Sequence, residues 1–229
     1  TGVPLIVHEN IRFQPWYGKI KVQLGAGALG DVYQGTFRLR PGDRQAPSAY
    51  LDRQPYFQDM PRLLVHETLV HLIDVFCALF GDVSHVFSDL WRLNPAIKGE
   101  DAGVIILAFK NGKRAVIDGN WLVDHAAKNR RLVMGEMWVE GSAGTLRLDG
   151  DAHLFSRAHG SNDEQPLDYK WNDHGYGGDC VYRLCAHVLE KLQAGETHEN
   201  TAVDYLSNLK IVEAVYLSDA EGRRIDLDV

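Results

Sequence analysis

The segment from Arg62 to Phe80 holds the side chains best spaced for chemistry. Glu67 and His71 are spaced i,i+4, and Asp74 follows three residues later. On a helix, residues at these spacings are neighbours on one face. The residues around them, including Leu69, Leu72, Ile73, Val75 and Phe76, are apolar, which predicts a helix buried over most of its surface. Carboxylates are seldom buried without a partner or a task. A carboxylate beside an imidazole can move the imidazole's proton affinity across neutrality, the usual arrangement for general acid–base catalysis. His71 and Glu67 are therefore the candidate catalytic pair. A structural ion pair at the edge of the core has the same spacing and stands as the alternative.

Two motifs that suggest other chemistry fail on geometry. His66-Glu67-x-x-x-His71 is one residue too long for the zinc-protease signature, which needs histidines at i,i+4. At i,i+5 they point about 140° apart on a helix, so no metal site is predicted. Gly25-Ala-Gly-Ala-Leu-Gly30 matches the dinucleotide fingerprint in letters, but that fingerprint needs a strand before it and a helix after it. Here Arg12 to Leu24 has the helical pattern, with Phe13, Trp16, Ile20 and Leu24 along one side and Pro15 near the first turn. Asp31 to Arg40 is strand-like. The six residues are thus expected to form a helix-to-strand turn, with Gly25 left-handed as the helix stop.

The elements that must position these residues follow from composition and pattern. The chain has 229 residues, 45% of them hydrophobic and 24% charged, with a formal net charge of −7. No basic stripe is present, which argues against nucleic acid or an anionic membrane as partner. No apolar run approaches the ~18–20 residues of a membrane span, and no signal peptide is visible. The three cysteines, Cys77, Cys180 and Cys185, suit buried free thiols in a reducing, cytoplasmic setting.

Val3 to His8 reads as a short strand, and Pro41 to Pro61 as a long loop of the kind that is functional or disordered. Beyond the helix that stops at Gly81, Val83–Trp91, Gly103–Phe109, Arg114–Leu122, Arg131–Glu140, Thr145–Leu148 and His153–Ser156 read as strands. Asn111-Gly112 marks a hairpin between two of them. Helices from about Gly178 to Gln193 and from Thr201 to about Ala220 close the chain, the second with Asn200 as its candidate cap. The order predicts an α+β fold: a mostly antiparallel open sheet of six or more strands with helices on one face. Ile117, Trp121, Met134 and Trp138 alternate and could line an open apolar face that binds a second copy. Core facing the helices is the alternative. Asn120, His125, His174 and Tyr176, polar or aromatic residues at turns or strand ends, are where sugar-facing groups tend to sit, although ordinary surface residues have the same profile.

Four segments together carry a family resemblance. Val3-Pro-Leu-Ile-Val-His-Glu-Asn-Ile-Arg-Phe-Gln-Pro-Trp16, Gly27-Ala-Leu-Gly-Asp-Val32, Glu67-x-x-x-His71-Leu-Ile-Asp74 and Ile211-Val-Glu-Ala-Val-Tyr-Leu-Ser-Asp-Ala-Glu-Gly-Arg223 occur in this order. The chain resembles the C-terminal two-thirds of the glucose–fructose oxidoreductase, inositol dehydrogenase and MocA family. The resemblance implies an NAD- or NADP-dependent oxidoreductase acting on a sugar, cyclitol or related polyol. Residues 1–26 would be the last strand and helix of a nucleotide-binding domain, and residues 27–229 the substrate-binding and oligomerisation domain of a homodimer or homotetramer.

The same resemblance implies that the glycine fingerprint and a Glu-Lys-Pro catalytic lysine lie upstream of Thr1, so this chain alone should bind the dinucleotide poorly and not turn over. His71 would be the acid–base group, Glu67, Asn120 and Tyr176 would join it at the substrate, Asn10 and Arg12 would touch the cofactor, and Asp74 would be structural. Glu67 stands where the family has Asp, and Met60-Pro-Arg-Leu-Leu64 replaces its glycine-rich run. Both departures leave open a second reading, a module that binds a polyol or dimerises without chemistry.

Overall fold

The computed structural model describes residues 3–227. The sequence of elements is helix α1 (Pro15–Gly25), strand β1 (Val32–Leu39), helix α2 (Val70–Phe80), six strands β2 to β7 (Val83–Trp91, Ala102–Phe109, Arg114–Asn120, Gly135–Gly141, Gly144–Leu148 and Leu154–Ala158), a two-residue strand β8 (Gln165–Pro166), helices α3 (Tyr176–Ala194) and α4 (Ala202–Glu221), and strand β9 (Ile225–Asp226). All nine strands form one sheet in the order β8-β7-β6-β5-β1-β4-β3-β2-β9. Its neighbours pair antiparallel except β1 and β4, which run parallel. A parallel pair needs a long crossover, and α2 lies in it.

The two faces of the sheet differ in character. One row across the inner face runs Ser88, Ile105, Ile117, Phe37, Met137, Leu148, Leu154, all buried. Over this face α2 sits so close that a Cβ on Gly35 would meet the Phe76 ring at 2.8 Å and the Phe80 ring at 3.0 Å. The next row, on the outer face, runs Phe87, Ile106, Val116, Thr36, Trp138, Arg147, Phe155, all exposed or half-buried. The predicted apolar alternation is therefore split. Ile117 and Trp121 are buried on the inner side, Trp138 is on the outer face, and Met134 precedes its strand with φ 62°.

Several boundaries moved for identifiable reasons. Val3–His8 forms no strand, because no sheet strand lies beside it. It makes only an isolated bridge from Ile6 to Thr201 and bonds with Asn200 and Ala202. Helix α1 starts at Pro15 rather than Arg12, since the residue before a proline is pushed out of the helical region, and Gln14 is extended at ψ 137°. A short 3₁₀ turn, Ile11–Phe13, precedes it. The left-handed Met134 delays β5 from Arg131 to Gly135. Thr201, not Asn200, caps α4, its hydroxyl accepting from Asp204 N–H at 3.1 Å. Cys185 is exposed rather than buried.

The Gly25–Gly30 turn joins a helix to a strand, as its context predicts. Gly25, however, stays inside α1, and the left-handed conformation falls on Gly27 (φ 70°) and Gly30 (φ 63°). Around Gly27 the space is open, whereas a Cβ on Gly30 would meet Ser142 Oγ at 2.3 Å, the oxygen that accepts from Asp31 N–H. Gly27→Ala should cost about 1–2 kcal/mol for the left-handed conformation alone. Gly30→Ala should cost about 1 kcal/mol more for the displaced hydrogen bond. Chemical denaturation of the two variants checks the order; equal losses would contradict it.

Candidate active site

Helix α2 is placed, before its start and at its middle, by residues far away in sequence. Before it, Val65–Leu69 forms a widened π turn. The Glu100 carboxylate accepts from the backbone N–H groups of Leu63 and Val65, and the Glu100 carbonyl accepts from Leu64 N–H. These are the orphan donors of a helix start. Tyr216 of α4 donates to the same carboxylate at 2.7 Å. Farther along, Asp74 is fully buried. It accepts from Arg12 Nε at 2.6 Å, from the Arg12 Nη2 group and from Asn208 Nδ2 at 2.5 Å. Burial by itself would lower the proton affinity of Arg12, but Asp74 and then Glu199 raise it. Burial in turn pushes the Asp74 carboxyl up, against the pull of Arg12.

The π turn changes the acid–base pair that the spacing suggested. His71 does not hydrogen-bond Glu67. Its Nδ1 instead lies 2.7 Å from Oε2 of Glu9, a carboxylate only 3% exposed. Glu9 Oε2 also accepts from Tyr205 Oη at 2.9 Å, and Oε1 from Ile11 N–H at 3.3 Å. Burial works to raise the Glu9 carboxyl, but His71, Tyr205 and the Ile11 N–H together hold it below its ordinary value. Burial likewise opposes a charged His71, and Glu9, with help from Glu67 and Asp74, outweighs it and raises the imidazole. An ionised carboxylate can only accept, so Nδ1 carries the proton and Nε2 of the neutral ring presents a lone pair.

Nε2 has no hydrogen-bond partner among the described residues, and the His71 side chain, 37% exposed, opens on a cleft of about 650 Å³. That is the size range of small-molecule sites. Glu67 lines the same cleft, its carboxyl raised by burial against the pull of His71 and His66. Tyr176, on the first turn of α3, and Asn10 line it too. Asn10 Oδ1 accepts from the Cys180 thiol at 3.0 Å. Two predicted site residues are placed elsewhere. The Asn120 side chain closes a turn, its Oδ1 accepting from the N–H groups of Leu122 and Val123. Arg12, expected at the cofactor, is occupied by Asp74 and Glu199. His125 is buried with Nδ1 at 2.6 Å from the Arg40 carbonyl, and His174 is exposed.

Glu9 is the partner of His71 that spacing could not find. Its only local signal is a lone carboxylate in the apolar run Pro4–Ile11. Among the described residues no group of three or more His, Cys, Asp or Glu is arranged to hold a metal, and no helix is long and apolar enough to cross a membrane. A dinucleotide needs a strand–turn–helix cradle for its pyrophosphate. Among the described residues the one GxGxxG turn leads from α1 into β1 and builds no such cradle.

The profile of the GFO/IDH/MocA C-terminal domain matches residues 17–147, and the chain belongs to that family. It is 30% identical over 236 residues to a D-apiose dehydrogenase of Rhizobium rhizogenes, covering 99% of this chain and 65% of the relative. It is 32% identical over 236 residues to a D-apiose dehydrogenase of Paraburkholderia graminis, covering 99% of this chain and 60% of that protein. The chain thus spans less than two thirds of the length of both. A solved oxidoreductase from Agrobacterium radiobacter, in complex with NAD+, L-tartaric acid and magnesium, superposes with a TM-score of 0.84 at 27% identity, over 98% of this chain and 65% of its own.

The Glu9–His71 pair gives a pH-dependent prediction. Glu9 is held below its ordinary 4.5, so its stabilisation is present above about pH 4.5 and lost as pH falls through the lowered value. His71 is raised above 6.5, so its stabilisation is present below about pH 6.5 and lost as pH rises through the raised value. Both contributions are in place between these limits. In Glu9→Gln the His71 midpoint, followed by NMR titration, should fall, because burial keeps its downward pull and the main upward one is gone. An unchanged midpoint would remove Glu9 from the pair.

Proposed function

We propose that this chain is the substrate-binding and proton-transferring part of an NAD(P)-dependent oxidoreductase acting on a sugar, cyclitol or related polyol. The observation that carries this reading is the His71 imidazole, anchored through Nδ1 to the buried Glu9 and turned through Nε2 toward the cleft. Two relatives named for a sugar, and a similar structure holding NAD+ and a polyhydroxylated acid, support the substrate class and the cofactor. Residues 1–26 would end a nucleotide-binding domain, which would hold the dinucleotide, and residues 27–229 would supply the cleft and the proton chemistry.

As the substrate carbon is oxidised, its hydroxyl proton passes to His71 Nε2, and in reduction it returns. The imidazolium so formed is held by Glu9, which neutralises it at 2.7 Å. Glu67, freed from orienting His71, would hold a substrate hydroxyl, with Tyr176 across the cleft. The outer row of the sheet, with Phe87, Ile106 and Trp138, would pack against a second copy in a homodimer or homotetramer. A module that only binds or dimerises would need no proton acceptor facing the cleft, and the buried Glu9 behind His71 favours the catalytic reading.

His71→Ala in the protein carrying its nucleotide-binding domain should lower turnover by roughly 10²–10⁴-fold, the usual contribution of a positioned base. Oxidation should accelerate as pH rises through the raised His71 value, since only the neutral ring accepts the proton, and reduction should slow over the same interval. Steady-state rates measured in both directions test this, and a variant as fast as the parent would remove His71 from the mechanism.

A further inference from the structure

The cleft has a second pole whose polar groups the proton chemistry does not use. Arg44 lies there with its side chain 13% exposed. Its guanidinium carbon is 4.5 Å from the centre of the Tyr50 ring and 5.7 Å from that of Trp121, and the two rings are 5.2 Å apart. Three polar atoms of this one stack are buried without a hydrogen-bond partner: Arg44 Nε, Trp121 Nε1 and Tyr50 Oη. Arg44 Nε is 3.5 Å from Asp43 Oδ1, near enough for ionic attraction and not aligned as a hydrogen bond. Buried polar groups in folded proteins are almost always satisfied, and a guanidinium left without an acceptor is costly. Tyr50 is also held at φ 72°, a conformation that non-glycine residues keep only where the surroundings impose it, often at ligand sites.

None of these three atoms is itself open to the cleft, but Arg44 lines it, and its two Nη groups have no protein hydrogen-bond acceptor among the described residues, so what a ligand in the cleft can supply there is an acceptor. The charges nearby decide its kind. Asp43 is shared between Arg44 and Arg131. Arg53 lines the same cleft, is exposed, and has no side-chain ion pair or hydrogen bond among the described residues. Asp52 stands beside it, also exposed, and Glu67 belongs to the His71 pole. Around the stack the guanidiniums of Arg44, Arg53 and Arg131 thus meet the carboxylates of Asp43, Asp52 and the buried Asp101, which also acts on Tyr50, and neither Arg44 nor Arg53 makes a side-chain hydrogen bond to any of them. Neutral hydroxyls could accept these bonds only one at a time. A carboxylate matches both the charge and the planar fork of a guanidinium.

We propose that Arg44, Arg53 and Trp121 form a carboxylate subsite, and that the ligand of this cleft is a polyhydroxy acid: an aldonate, a uronate or a hydroxy diacid. Its carboxylate sits at the arginine pole and its reacting hydroxyl at His71. The assignment rests on the polyol oxidoreductase reading above and narrows it.

Calorimetric titration of the protein with D-gluconate, D-glucose and acetate tests the assignment. Gluconate should bind about tenfold or more tightly than glucose, as expected for a charge-assisted contact, and acetate far more weakly than gluconate. Arg53→Ala, an exposed change that removes no packing, should erase most of the preference for gluconate. Arg44→Gln should erase it further, provided that the variant's circular dichroism and melting match the parent's. Glucose binding as tightly as gluconate, or a preference untouched in Arg53→Ala, would overturn the subsite and leave the polyol reading standing. Acetate binding as tightly as gluconate would overturn the polyhydroxy-acid assignment. Binding of neither gluconate nor glucose would overturn the subsite and the polyol reading together.

Discussion

The structure depends on two opposite-sign pairs set in matching register. The segment before α1 carries Glu9 and Arg12, three residues apart, and α2 carries His71 and Asp74 at the same spacing. Acid meets base in both pairs, Glu9 with His71 and Arg12 with Asp74. Helix α4 repeats the spacing with Tyr205 on Glu9 and Asn208 on Asp74. Buried charges are expensive when single, and removing one partner of such a pair costs about 3–5 kcal/mol. A slip of one residue along either segment would break both pairs at once. The register that stabilises the core is thereby the register that turns Nε2 of His71 to the cleft.

Around this lock the backbone departs from regularity where the cleft is built. The π turn at Val65–Leu69 replaces an ordinary helical start, held by a carboxylate from Glu100 instead of a neighbouring cap. Met134, Tyr50 and Asp179 take left-handed conformations; Met134 lines the cleft, Tyr50 lies beneath Arg44, and Asp179 follows the turn that carries Tyr176. Such conformations cost of order 1–3 kcal/mol each. They survive here because the nine-stranded sheet and α2, pressed onto Gly35, hold the surroundings rigid. Met134 and the Glu67 and Thr68 residues of the π turn line the cleft, in keeping with the tendency of such features to occur at functional sites, whereas Ala152 and Asn200 take the same conformation away from it.

Periodicity made most of the fold legible in the sequence. The apolar run after Glu67 located α2, alternation located Val83–Trp91 to the residue, and Asn111-Gly112 located its hairpin. The site was legible only in part. His71 stood out because a titratable ring in an apolar helix is rare, but its partner lies 62 residues away, and no helical spacing encodes a tertiary contact. Glu67 was paired with His71 by assuming a uniform helix, and the π turn removes that assumption. Arg44 and Arg53 fall in the Pro41–Pro61 loop, which has no period to read. The resemblance places Arg12 at the cofactor, and nothing in the local sequence shows its ion pair with Asp74. The left-handed conformation falls on Gly27 and Gly30 and not on Gly25, since any glycine of the turn can take it and the letters alone do not say which.

The central claim is that Glu9 fixes the tautomer that makes His71 a proton acceptor toward the cleft. The ¹⁵N chemical shifts of the His71 ring, measured well above its titration midpoint, report this directly. The account predicts a protonated Nδ1 and an unprotonated Nε2 in the parent, with the tautomers mixing in Glu9→Gln. A parent ring protonated at Nε2, with Nδ1 bare, would contradict it.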